Sequence, residues 1–155
     1  MELTFEQTLQ NGVAAHNAGN LEEAERLYRA ILQSQPSHPD ANHNLGLIAV
    51  SVNNADAALP LFKTALDANP KIDQFWLSYI DALIKESQLE TAKTVLEQTK
   101  KYGVSGGKIN TLKSPLGSKI QHVNSANSSQ QQLNRLSGIV SMSRLVNLQD
   151  NQMHH

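Results

Sequence analysis

Ala41–Pro70 reads ANHNLGLIAVSVNNADAALPLFKTALDANP, two apolar runs of helical length on either side of Asn53-Asn54. That is the pattern of one helix–turn–helix unit. The chain around it repeats the pattern at a fixed interval. Gly12 and Gly46, Ala24 and Ala58, Tyr28 and Phe62, and Pro36 and Pro70 each stand 34 residues apart. A further step of the same length leads from Asn42 to Trp76, from Ala58 to Ala92 and from Phe62 to Leu96. Small, aromatic and proline positions holding register together mark a structural repeat.

The period and the residues in it, Leu45-Gly46, Ala58-x3-Phe62 and Pro70, resemble the tetratricopeptide repeat. The resemblance covers about residues 5–104. It implies an all-α fold of about three antiparallel helix–turn–helix units, at about 5–36, 39–70 and 73–104, stacked as a short right-handed α-solenoid. Thr4 with Gln7 forms a capping-box pattern ahead of a first helix over about Phe5–Asn17. Asn20 caps a second helix running to Ser34, with Glu22 and Glu23 in its first turn. The pattern predicts further helices to Val52, over Ala55–Ala68, over Asp73–Lys85 and over Leu89–Tyr102, with Gly103 as C-cap. Pro60 is expected in the first turns of the fourth helix, where a missing N–H costs least. In the third repeat Tyr79 and Ile80 replace the Leu-Gly pair, and Val104 falls where proline would recur, so the array is expected to end there.

The composition changes after Gly103. Residues 105–155 hold 9 Ser, 6 Asn and 6 Gln, the bias of a linker or disordered tail. Within 105–117, KINTLK (Lys108–Lys113) is expected to form a short capping helix before Pro115. In the polar tail 118–155, residues 130–148 carry a weak helical pattern through Leu133, Leu136, Val140 and Leu145, diluted by Gly138. The net charge of −1 is divided: residues 1–104 carry 13 acidic and 8 basic side chains, for −5, and 105–155 carry 1 and 5, for +4.

These numbers exclude several classes of function. The near-neutral total gives no case for nucleic acid or an anionic membrane as partner. No run of about 18 apolar residues occurs, so no membrane span is expected, and MELTFEQTLQ lacks the apolar core of a secretory signal. A cytoplasmic location is the expectation, and the absence of cysteine is compatible with it. No metal is expected: His38 and His43 are five apart and would not share a helix face, and His154-His155 stands at the chain end. Gly103–Lys108, GVSGGK, has part of a phosphate-loop pattern, but Tyr102 stands where the first glycine belongs and Ile109 follows the lysine. No Ser/His/Asp set is placed together by the pattern, so the chain reads as non-catalytic, with no cofactor.

The family resemblance implies a concave groove lined by the first helix of each repeat. It would display Leu9, Gln10, Val13 and His16 from the first repeat, His43, Asn44, Leu47 and Ser51 from the second, and Leu77, Ser78, Asp81 and Lys85 from the third. That surface mixes apolar points with mostly uncharged polar groups and suits a peptide or helix as partner. Some family members clamp a terminal carboxylate with lysine, arginine and asparagine. The matching positions here are Leu9, Val13, Asn44, Gln74 and Ser78, of which only Asn44 fits, so this chain departs from the clamp. Others carry an asparagine ladder, matched here by Gln10, Asn44 and Ser78, again with only the middle rung kept. The segment FWLSYIDALIKESQLETAKTVLEQTKKYG (Phe75–Gly103) also resembles the N-terminal repeat arm of larger bacterial glycosyltransferases and sulfotransferases, which would make the chain a truncated substrate-recruiting arm. Self-association through exposed repeat ends is a third expectation.

Overall fold

The computed structural model describes residues 2–104, 109, 111 and 112. Six α-helices make up the described residues: α1 Phe5–Asn17, α2 Leu21–Ser34, α3 Pro39–Ser51, α4 Ala55–Ala68, α5 Asp73–Lys85 and α6 Leu89–Lys101. They pair as α1 with α2, α3 with α4 and α5 with α6, and each pair packs on the next through α2–α3 and α4–α5. This is the repeat solenoid that the period predicts. Among the described residues there is no strand.

The helix ends follow local chemistry at 34-residue spacing. Thr4 closes a full capping box with Gln7, and His38 replaces it one repeat later, its Nδ1 accepting the Ala41 N–H at 3.2 Å. Ile72 holds the third such place and offers no side-chain cap. Inside each repeat the first helix ends on a residue in the left-handed region: Gly19 (φ 81°), Asn53 (φ 60°) and Ser87 (φ 57°). The next residue's N–H then bonds back five residues, as Asn20 to Ala15, Asn54 to Ala49 and Gln88 to Leu83. These are Schellman turns, which satisfy the last carbonyls and reverse the chain.

The repeat's small positions are set by the neighbouring helix. A Cβ on Gly12 would stand 2.7 Å from Tyr28 Cε1, and one on Gly46 would meet the Phe62 ring closer still. Ala24, Ala58 and Ala92 are fully buried. In the third repeat Ile80 and Leu96 occupy the places of glycine and ring, and both are buried. One large and one small residue have become two of middle size.

The third and sixth helices end at Ser51 and Lys101, within a residue of the ends expected at about Val52 and Tyr102. Two expectations are corrected. The C-cap of the sixth helix is Tyr102, and Gly103 follows it in the left-handed region (φ 71°). Pro60 is the sixth residue of α4, beyond the four N–H groups that a helix start leaves free, so its missing donor deprives the Asp56 carbonyl of its helical bond. Ile109, Thr111 and Leu112, in the expected capping segment, are helical, and Ile109 is buried. The expected tail and its 130–148 helix lie outside the described residues.

Candidate protein-interaction surface

The first helices form one layer: α1 touches α3 and α3 touches α5, whereas the second helices stand further from one another. A stack whose one row of helices is drawn together is concave on that side. On α3, Asp40 and Ser51 are exposed and Asn44 and Leu47 half-buried, and the four are spaced four, three and four apart as a single helical stripe. The same register places Glu6, Gln10, Val13 and Asn17 on α1 and Gln74, Ser78, Asp81 and Lys85 on α5.

The sequence-derived groove residues divide into two groups. Gln10, Val13, Ser51 and Lys85 are exposed, and His16, Asn44, Leu47, Leu77 and Asp81 are half-buried. Leu9, His43 and Ser78 are buried and are not displayed, contrary to the expectation. Leu9 packs into the apolar cluster of Ala24, Tyr28, Ile31, Ala41, Leu45 and Ile48. The cause is geometric: neighbouring positions on a helix point about 100° apart. Leu9 and His43 therefore turn into the joint between repeats while Gln10 and Asn44 turn out.

Beneath the stripe lies a polar chain that period alone does not reveal. Gln74 Nε2 donates to Ser78 Oγ at 3.3 Å, and Ser78 Oγ lies 2.8 Å from His43 Nε2. Asn44 is near enough to both the His43 ring and the Tyr28 hydroxyl to oppose the effect of burial on each, and Tyr28 Oη lies 3.4 Å from His16 Nδ1. The His43–Ser78 bond forms in either neutral tautomer, with Ser78 as donor or acceptor accordingly. Burial pushes the His43 ring below the usual imidazole range, against the opposing pull of Asn44 and Asp40. Burial likewise raises the Tyr28 phenol, with Asn44 opposing. Asn44 itself is half-buried, and its amide carries both donors and an acceptor.

Charge on the stripe is sparse and acidic. Lys85 is its one cation, and it is paired with Asp81 at 3.0 Å. No group of three metal-binding side chains occurs among the described residues, and none of their helices is long and apolar enough to cross a membrane.

Family models described as tetratricopeptide repeat match residues 9–71 and 49–113, which together take in all three helix pairs. The chain belongs to the tetratricopeptide-repeat family. Solved structures agree. The Sgt2 TPR domain from Aspergillus fumigatus matches with a TM-score of 0.69 at 18% identity, over 79% of this chain and 82% of that one. The first TPR domain of human RPAP3 matches at 0.70 and 14%, over 79% and 97%. The first TPR of Spaghetti (RPAP3), solved bound to the HSP90 peptide SRMEEVD, matches at 0.68 and 14%, over 76% and 93%. At these identities the likeness concerns the fold. No curated protein sequence matches the chain.

Proposed function

We propose that the chain is a non-catalytic protein–protein interaction module that holds an extended peptide along the first-helix groove. The observation that carries this reading is the middle stripe. Asn44 offers a half-buried amide on the same stripe as the half-buried apolar Leu47 and the open Ser51. An amide that both donates and accepts can pair with peptide backbone, and Leu47 supplies an apolar anchor in a partly desolvated place. The tetratricopeptide fold typically serves protein–protein interaction, and one structural neighbour holds a peptide. The ligand here differs in class from that acidic peptide. The groove's lysine is already paired and the row starts are Glu6 and Asp40, so a terminal carboxylate finds no partner.

The test is photo-crosslinking in cells with benzoylphenylalanine introduced at Ser51, in the groove, or at Lys93, on the exposed face of α6. Discrete adducts from Ser51 that vanish with Asn44→Ala plus Leu47→Ala support the groove. Equal adducts from both sites, unaffected by that double change, would exclude it.

A further inference from the structure

His43 sits at the joint between the second and third repeats and is not displayed in the proposed groove. Only 5% of its surface is exposed. Its ring centroid lies 5.4 Å from that of Phe62 on α4 and 4.7 Å from that of Phe75 on α5, and its Nε2 is 2.8 Å from Ser78 Oγ on α5. One repeat earlier and one later the same place holds leucine, Leu9 and Leu77. A single imidazole has replaced an apolar residue at one joint of an otherwise periodic array. We propose that His43 makes the joint between the second and third repeats a proton-sensitive hinge, latched when the ring is neutral and loosened when it is protonated.

The chemistry of the latch explains the direction. A neutral ring has one donor and one acceptor nitrogen, and its Nε2 shares a hydrogen bond with Ser78 Oγ in either tautomer. Protonation makes both nitrogens donors and leaves a charge in a joint almost wholly shut off from water. The two phenyl faces return part of that cost, but they are tilted by 42° and 35° and cannot replace water. Asp40, one turn earlier on α3, is the charged group that opposes the cost. The other groups shown to act on the ring are Asn44 on α3, Phe62 on α4, and Phe75 and Ser78 on α5, none of them charged.

Burial outweighs Asp40, so the folded ring takes up its proton at lower pH than the unfolded chain does. The latch is therefore complete above about pH 6.5, the ordinary imidazole value, and is lost as pH falls through the folded value. The joint between the first and second repeats has leucine at this register and keeps its strength. Acidification would swing the Gln74, Asp81 and Lys85 row away from a groove whose other two rows stay together.

Trp76 is the chain's single tryptophan, buried on α5 with its Nε1 donating to the Pro70 carbonyl at 2.7 Å, so its fluorescence reports the third repeat. The experiment is urea unfolding of the full chain followed by Trp76 fluorescence and by far-UV circular dichroism, at about pH 7.5 and about pH 5. A His38→Ser background keeps an N-cap on α3 and removes a second imidazole from the readout. The two probes should coincide at the higher pH, and at the lower pH the Trp76 midpoint should fall ahead of the dichroism midpoint by roughly 0.5 M. His43→Leu should restore coincidence at both. Coincident probes at the lower pH in the parent, or the same separation in His43→Leu, would overturn the hinge. An NMR titration of the parent decides the matter even where His43→Leu fails to fold. The His43 Cε1–H and Trp76 indole signals should move together, and a His43 that titrates without moving Trp76 would overturn it.

Discussion

Gly46 shows how two small effects of opposite sign are decided. Alanine there gains about 1 kcal/mol of helix propensity. Its Cβ would collide with Phe62, which is fully buried and has nowhere to turn, and overpacking of that kind costs about 1–3 kcal/mol. Gly46→Ala is therefore expected to lower the urea midpoint, although it improves the helix. A midpoint at or above that of the parent would mean that the ring yields. Asn53 is a second case. Its left-handed backbone penalises a side chain that cannot bond locally by about 1–2 kcal/mol, so Asn53→Ala should destabilise by about 1 kcal/mol while Asn53→Gly stays within a few tenths; equal loss from both would assign the effect to the amide. Register also hides an equivalence. Asn42 stands where Trp76 stands one repeat later, and its amide donates to the Pro36 carbonyl at 3.0 Å as the indole does to Pro70. The sequence shows an asparagine in a tryptophan slot, but not that it keeps the slot's hydrogen bond.

At the scale of elements, the helices were legible because apolar period, caps and turn residues agree at each boundary. Ala24, Ala58 and Ala92, which mark the 34-residue spacing, are all fully buried. Ala58→Leu is expected to cost about 1–3 kcal/mol through overpacking, visible as a lower thermal midpoint, and an unchanged midpoint would contradict the packing register. What was not legible was the difference between neighbouring positions on one helix. His43 and Asn44 are both polar, so composition does not say which of them turns inward, and the packing of the next repeat decides it. Pro60 was misjudged for a related reason: proximity to the helix start is not enough once the first four residues are passed. The exposed pairs Arg26–Glu23 and Lys63–Asp67 fill the outer faces. Lys63→Ala should shift the midpoint by less than about 0.5 kcal/mol, and a larger loss would show that α4 depends on its surface.

For the molecule as a whole, stacking is what makes the repeats stable, since no helix pair buries its apolar face alone. The sequence conveys that architecture almost completely, because architecture is periodic. The groove is legible only in outline, because a binding surface is made of departures from the period: a rung kept at Asn44, a lysine neutralised by Asp81, a leucine replaced by His43. The hydrogen-bonded run from Gln74 through Ser78 to His43 joins the second and third repeats, and no local motif marks it. Beside His43 on the same helix stands Asn44, the amide on which the proposed recognition depends. The measurement that tests this most directly is selection of a displayed random-peptide library against the full chain and, in parallel, against a folded Asn44→Ala plus Leu47→Ala variant. The account predicts that the parent enriches peptides with a shared apolar anchor and no required terminal carboxylate, and that the variant loses them by about tenfold or more, the equivalent of about 1.4 kcal/mol. Enrichment of the same peptides by both proteins, or of acidic C-terminal tails by the parent, would contradict it.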